Sequence, residues 1–275
     1  CEGMLSFSTS KTGISFLAPT IHADRVSIGL LPEDMITLSD FAGDRLAMAT
    51  DISYLSLPES MKNEFTENAA KNLAEKRGAL AAKRVFDIAV SVVILAVLSP
   101  LLLVVAAAVK LDSKGPGLYR QVSVGRYGKD FRIYKFRTMV QDADKLGPPL
   151  TMGRDPRITR VGRIIRKCRI DEFTQLFNVI GGSMSLVGPR PEVRRYVEKY
   201  KPEYMPTLLI RPGVTAPSSI AFKDEDKILK EGGDPEKIYV EKILPPKMDL
   251  NLEYMKDISV LNDIKIMFKT VSAVF

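Results

Sequence analysis

The stretch from Val85 to Leu111 is apolar but for Asp87, Ser91, Ser99, Pro100 and Lys110, and it limits what this chain can fold into more than any other feature. Ile88 to Val109 makes about 33 Å of helix at ~1.5 Å per residue, enough to cross a ~30 Å hydrocarbon layer. Two features argue against a plain crossing. Pro100 lies mid-run, where it removes a backbone hydrogen bond and clashes with the preceding turn, so a kink is expected at Ser99-Pro100. Lys83 and Arg84 precede the run while Lys110, Lys114 and Arg120 follow it, placing cytoplasm-favouring charge at both ends. A helix that enters, bends at Ser99-Pro100 and leaves by the same face satisfies both. A spanning helix and a buried core helix stay open on these residues alone.

Around that run the pattern is mixed. Residues 1 to about 56 read as short extended pieces, such as Val26 to Leu31 and Leu46 to Ala49, without a core of their own. Asn63 to Lys83 reads as a polar helix leading into the apolar run. Leu118 to Val124 and Phe131 to Phe136 flank Gly125-Arg126-Tyr127-Gly128 as a β-hairpin. Gly115-Pro116-Gly117 lacks the downstream Gly-Lys-Ser/Thr of a phosphate loop and reads as a turn. Lys135 and Arg137, spaced by two, project to one side, either to meet a phosphate or to be solvated. From Ile158 to Ile170 the apolar positions Ile158, Val161, Ile164, Ile165 and Cys168 oppose Arg157, Arg160, Arg163 and Arg166. Such a basic amphipathic helix suits a membrane interface, or lies over a core. Helical patterns recur near Glu192 to Tyr200 and Leu261 to Val271, with Pro-containing loops around Arg211 to Thr215.

The chemistry concentrates between Arg169 and Glu192, where the adjacent carboxylates Asp171 and Glu172 follow a run of arginines. Asp171, Gln175 and Asn178 fall at i, i+4 and i+7, one face of a helix. A face of carboxylate, amide and amide can hold a metal, a sugar hydroxyl or a phosphate. The helix is expected to stop at Gly181-Gly182, and Gly188-Pro189-Arg190-Pro191 then fixes the next turn. Arg190, held between two stiff residues, is suited to a phosphate oxygen. The competing reading is a surface helix followed by a Pro-rich loop.

Composition narrows the options. A net charge of +7 on 275 residues implies an anionic partner: nucleic acid, an anionic membrane or a phosphorylated substrate. The nucleic-acid reading rests on charge alone and leaves the apolar run unexplained. Cys1 and Cys168 make neither a disulfide framework nor a zinc pattern, which fits a reducing compartment. His22, the single histidine, is far in sequence from Asp171, which argues against Ser-His and Cys-His machinery and points to carboxylates, Lys, Arg or a metal for catalysis. Cys168 reads as a packed side chain. The first residue is Cys rather than Met, which fits a processed, engineered or incomplete N-terminus, or a lipid-modified Cys1.

K-R-V-F-D before the apolar run, Y-R-Q-V-S-V-G, Y-K-F-R-T-M at 134–139, D-P-R-I-T-R-V-G-R at 155–163, D-E-F-T-Q-L-F-N-V at 171–179, S-L-V-G-P-R-P-E at 185–192 and R-P-G-V-T at 211–215 together resemble the bacterial polyprenyl-phosphate sugar-1-phosphate transferases. These monotopic phosphoglycosyl transferases initiate assembly of O-antigens, capsules and exopolysaccharides. The resemblance implies an α+β, mostly helical monotopic membrane protein with a Pro-broken re-entrant helix at Ser99-Pro100, amphipathic interfacial helices and a small β-hairpin. Residues 81–275, including the membrane helix 85–111, would form the catalytic domain, and residues 1–80 an N-terminal extension. Residues 24 to about 56 faintly resemble the end of the extra domain that precedes the catalytic part in larger members.

The implied reaction has two steps. Asp171 attacks the sugar-bearing phosphate of a UDP-sugar and releases UMP; polyprenyl (undecaprenyl) phosphate then takes the sugar phosphate from the aspartyl intermediate. Magnesium offsets the diphosphate charge, with Glu172 as its protein ligand. Lys135, Arg137, Arg166, Pro189, Arg190, Pro191 and Asp263 match positions implied to bind substrate or phosphate, and Gln175 and Asn178 would orient the nucleophile or nucleotide. The family setting implies the cytoplasmic face of the bacterial inner membrane, lipid as a partner, and room for a homodimer and downstream glycosyltransferases. A non-catalytic partner protein of the same pathway is the alternative, opposed by the intact Asp171-Glu172 pair. The family often has Pro where Thr174 stands, and Thr-Gly, an apolar residue, Ala and Gln where this chain has Thr215-Ala216-Pro217-Ser218-Ser219, so the resemblance assigns no sugar.

Overall fold

Asn63 starts the first helix by accepting a hydrogen bond from Thr66 N (2.9 Å), which satisfies one of the orphan donors of a helix N-terminus. The computed structural model describes residues 54–143, 146, 155–229 and 234–274. Cys1, His22 and the extended pieces expected at Val26 to Leu31 and Leu46 to Ala49 lie outside them. In chain order the helices are α1 (Glu64–Glu75), α2 (Arg77–Asp112), α3 (Arg160–Lys167), α4 (Gln175–Ile180), α5 (Arg194–Val197), α6 (Pro217–Ala221), α7 (Glu225–Leu229), α8 (Pro235–Ile238), α9 (Leu244–Lys256) and α10 (Val260–Val274). Ala70 and Leu73 of α1, with Leu57 and Met61 before it, are buried in the main core beside Val179, Met184, Val187 and Leu209. The polar lead-in helix is therefore packed into the same core as the residues that follow it.

The apolar run lies in α2, which continues through Pro100. The ring of Pro100 leaves the carbonyl of Ala96, four residues back, without its helical donor. The Ser99 hydroxyl donates to that carbonyl at 2.8 Å, replacing the missing bond from one residue away. Ser99→Ala leaves the carbonyl without that donor and is expected to lower stability by about 1 kcal/mol. Melting in lipid nanodiscs measures this, with Ser99→Thr restoring the loss.

Only 17% of the most apolar window of α2 is buried, and the helix is long and apolar enough to cross a membrane. Val92, Val93, Val97, Leu101, Leu103 and Val104 are exposed. The two ends are fastened to the protein instead. Arg84 donates to Val179 O (2.7 Å) and Ile180 O (3.2 Å), capping the orphan carbonyls of α4. Lys83 forms an ion pair with Asp263 of α10 and lies 3.6 Å from Asp87. Both basic residues, expected as flanking membrane charges, are buried. Beyond Pro100, Leu102, Val105 and Val109 pack with Phe136 and Ile165. Residues on both sides of the proline thus hold to one globular body.

Strands β1 (Leu118–Val124) and β2 (Asp130–Phe136) pair antiparallel from Leu118↔Phe136 to Val124↔Asp130, within one residue of the expected hairpin. Their turn places Tyr127 (φ 60°) and Gly128 (φ 70°) in the left-handed region. A second, parallel pair joins β3 (Ser185–Val187) to β4 (Gly213–Thr215) where the sequence reads as loop. The pairing needs glycine, because a Cβ on Gly213 would stand 2.2 Å from Gly188 N.

Candidate active site

Arginine-rich α3 runs up to the carboxylate pair, and Thr159 caps its start by accepting from Gly162 N. Gly162 lets α3 seat tightly on the end of the hairpin, since a Cβ there would meet Thr138 O at 2.1 Å. Seated so, Arg166 donates through Nε to Thr138 Oγ1 at 2.8 Å. Arg169 then takes the left-handed conformation (φ 55°), an uncommon state for a side-chain-bearing residue, and turns the chain sharply. A 3-10 turn, Ile170–Glu172, carries both carboxylates, and α4 begins only at Gln175. The single helix face expected for Asp171, Gln175 and Asn178 is therefore a turn followed by a short helix.

The turn is anchored to β2. The Thr174 hydroxyl donates to Tyr134 O (2.8 Å) and lies 3.2 Å from Asp171 O. This gives Thr174, where the family often has Pro, a fastening role of its own. Lys135, next along β2, approaches Gln121 Oε1 at 3.3 Å. Arg190, carried in by the Pro189-Arg190-Pro191 turn after β3, donates through Nη2 to Glu172 Oε1 at 3.1 Å. Arg169 Nη1 reaches the same oxygen at 3.5 Å.

The two neighbouring acids are tuned apart. Burial and the adjacent Glu172 charge push the Asp171 carboxyl above its usual 3.8, against the pull of Lys135 and Arg166. Burial also raises Glu172, yet Arg190, Lys135 and Arg169 more than offset it and hold that carboxyl below its usual value. Burial and nearby Arg190 lower Lys135. Glu172 is thus a fixed anion pinned by arginine, while Asp171 is an ionisable carboxylate facing cations, a pattern that marks reactive sites.

A family model for the bacterial sugar transferases matches residues 78–275. The chain belongs to the bacterial sugar transferase family. It is 38% identical over 200 residues to a UDP-N-acetylgalactosamine-undecaprenyl-phosphate N-acetylgalactosaminephosphotransferase of Aeromonas hydrophila, covering 70% of this chain and 43% of the relative. It is 35% identical over 240 residues to an undecaprenyl-phosphate galactose phosphotransferase of Salmonella typhimurium, covering 82% and 46%. With a UDP-glucose:undecaprenyl-phosphate glucose-1-phosphate transferase of Caulobacter vibrioides it shares 38% over 194 residues, covering 69% and 68%. The chain thus spans less than half the length of the first two relatives.

Within this member of the family the structure gathers Asp171, Glu172, Lys135, Arg166 and Arg190 into one place. Gln175 and Pro191 line an adjoining cleft of about 150 Å³. Four expected ligands stand elsewhere. Arg137 is buried and donates to Ser113 O (2.6 Å), Ser113 Oγ (2.9 Å) and Pro116 O, closing the end of α2, whose last carbonyls need donors. Asp263 is buried between Lys83 and the Tyr254 hydroxyl (2.7 Å). Asn178 accepts from Tyr134 N (2.9 Å) and donates to Arg132 O (2.7 Å) and Ser183 Oγ (3.1 Å), so its amide bonds the open edge of β2. Pro189 is buried, and its carbonyl accepts from Gly213 N (2.9 Å), which makes it a turn former. Asn178→Ala removes three hydrogen bonds and strands a backbone amide. We expect a loss of about 2–4 kcal/mol with nucleotide affinity unchanged in the folded fraction, read by melting and by UMP titration.

The sequence assigned no role to Glu192, Glu225, Tyr239 and Lys247, which also line the cleft. Only Glu192 carried a signal there, as the last residue of S-L-V-G-P-R-P-E. Among the described residues no three His, Cys, Asp or Glu side chains gather as a metal cluster. Glu172 is the carboxylate that would hold magnesium, whose shell needs only one or two carboxylates beside substrate phosphates and water.

Proposed function

We propose that this chain transfers a sugar-1-phosphate from a UDP-sugar to polyprenyl phosphate, releasing UMP. The observation that carries this reading is the half-buried Asp171 carboxylate, set among Lys135 and Arg166 beside an arginine-pinned Glu172. A diphosphate placed against Lys135, Arg166 and Arg190 presents its sugar-bearing phosphorus to Asp171. Attack by the carboxylate oxygen forms an acyl-phosphate bond as the bond between the two phosphates breaks, and the electron pair leaves on UMP. A phosphate oxygen of the lipid carrier then attacks the same phosphorus and frees the Asp171 carboxylate. Splitting the transfer lets one site serve a soluble donor and a lipid acceptor in turn. Lys135 and the arginines stabilise charge on the transferring phosphoryl oxygens. Glu172 would hold magnesium, which supplies further neutralisation of the diphosphate charge.

The lipid acceptor calls for a site at a membrane surface. We infer that α2 enters and leaves by the same face of a bacterial cytoplasmic membrane, its exposed apolar side in lipid. Attachment of segments before and after Pro100 to one body supports this, as does the hydroxyl that satisfies Ala96 O. Near-equal identity to relatives named for three different sugars leaves the donor panel as the experiment. Protein in nanodiscs is incubated with UDP-N-acetylgalactosamine, UDP-galactose or UDP-glucose, polyprenyl phosphate and magnesium. UMP is expected from at least one donor, and no UMP from any donor in a broad panel rejects the reaction.

The pH profile tests the nucleophile. Attack needs the ionised carboxylate, so kcat/KM is expected to fall on the acid side with a midpoint above 3.8. Lys135 favours the ionised form, so in the residual activity of Lys135→Met that limb moves to higher pH. A limb that stays in place separates Lys135 from Asp171.

A further inference from the structure

The cleft beside the carboxylates is lined by two chemically different groups of residues. Lys135 and Arg190 carry positive charge beside Asp171 and Glu172. Glu192, Glu225, Tyr239 and Lys247 form a second, mixed-charge wall of the same cleft, and Arg190 is close enough to both of its carboxylates to feel their charge. Glu192 follows Arg190 by two residues in the same Pro-stiffened segment, and its backbone carbonyl is held by Val124 N (2.8 Å). Tyr239 donates its hydroxyl to Glu192 Oε1 at 2.6 Å. The buried Lys247 ammonium forms an ion pair with Glu225 and lies 3.4 Å from the Tyr239 oxygen. Tyr239 opens a π-helical turn, Tyr239–Ile243, a distortion often found where a side chain is aimed into a site.

Stability alone does not account for this wall. Behind it lies an apolar cluster of Tyr196, Ile243, Leu244 and Met248, into which apolar side chains could pack at no desolvation cost. The wall instead keeps two carboxylates, a phenol and an ammonium against the cleft. Two carboxylates repel phosphate, so Lys135 and Arg190 are the groups in the cleft suited to the phosphates of a ligand. What suits the carboxylates, phenol and ammonium is a neutral ring bearing hydroxyls: carboxylates accept from them, and the ammonium and phenol donate. Burial raises the Glu192 carboxyl above its usual value, against the pull of Lys247, Tyr239 and Arg190.

We propose that Glu192, positioned by Tyr239 and backed by the Glu225–Lys247 pair, forms a subsite for the hydroxyl-bearing ring of the donor. The subsite rests on the UDP-sugar reading above. The shared chemistry is a polyol ring, supplied either by the transferred sugar or by the ribose. Relatives of near-equal identity named for different sugars fit a fold in which a few wall residues choose the ring.

Binding to the full chain in nanodiscs tests it, with pyrophosphate, UMP and the UDP-sugars as probes of wild type, Glu192→Gln, Tyr239→Phe and Lys135→Met. Glu192→Gln is expected to weaken ring-bearing ligands at least tenfold while pyrophosphate binding holds within twofold. Loss confined to UDP-sugars identifies the sugar as the ring; equal loss for UMP identifies the ribose. Tyr239→Phe gives a smaller loss in the same ligands, and Lys135→Met weakens all of them, pyrophosphate included. Unchanged affinities in Glu192→Gln, or a loss that includes pyrophosphate and tracks a falling melting temperature, overturn the subsite. Wild type that binds pyrophosphate but no uridine nucleotide fails the donor reading itself, whereas wild type that binds nucleotides with Glu192→Gln unaffected fails only the subsite.

Discussion

Asp171→Asn is expected to abolish UMP release, by at least a thousandfold, while making the protein more stable at neutral pH. The amide keeps the size and much of the hydrogen bonding of the carboxyl but cannot form the acyl-phosphate bond. The stability gain follows from linkage. Burial and Glu172 raise the folded-state pKa of Asp171 above 3.8, so the fold binds its proton more tightly than the unfolded chain does. Its favourable contribution is complete below the unfolded value and is lost as pH rises through the folded one. At neutral pH the native state therefore carries an ionised carboxylate it disfavours, and the amide relieves that cost. Melting curves of Asp171→Asn and wild type should separate at pH 7 and converge below about pH 3.8. Full UMP release by the amide variant would falsify the covalent step. Inactivity with a lowered melting temperature at pH 7 would instead mark Asp171 as structural.

The second large effect is expected far from the chemistry. Lys83, Asp87 and Asp263 are all buried, with Lys83 between the two carboxylates and Tyr254 donating to Asp263. Removing one partner strands a charge where water cannot reach it, so Asp263→Ala should cost about 3–5 kcal/mol. Against a typical total of about 5–15 kcal/mol, this lowers the folded yield severely. The paired replacement Lys83→Met with Asp263→Leu removes both charges together and is expected to recover most of the loss. A double-mutant cycle in melting experiments measures the coupling. If Asp263 bound phosphate, its loss would weaken nucleotide affinity and leave melting unchanged. The opposite pattern is expected here, because Asp263 lies in the packing between α2 and α10.

These residues show where legibility ended. The hairpin was readable because its signal is local: two β-rich runs around a Gly-containing turn, with partners a few residues apart. The Asp171-Glu172 pair stood out for a similar reason, two carboxylates in a cationic neighbourhood. Arg84, Arg137, Asn178 and Asp263 were as visible in the sequence, but their chemistry was not. Lys83 and Asp263 are 180 residues apart, and Arg84 meets Val179 at a separation of 95. Nothing in a local pattern says whether a lone arginine will meet a phosphate or the carbonyls of a distant helix end. Glu192, Tyr239 and Lys247 were obscure for the same reason, since they become one wall only when the Pro-stiffened turn after β3 folds against the C-terminal helices.

By itself the sequence determined that the chain carries a long apolar helix with a proline inside it, and which carboxylates stand together. Each follows from composition and short-range spacing, because backbone hydrogen bonding and side-chain volume act over a few residues. Tertiary structure alone decided which polar groups gather beside the cleft and which pair elsewhere in the fold. A buried charge or amide must find partners wherever packing places them, and that placement is set by the whole core.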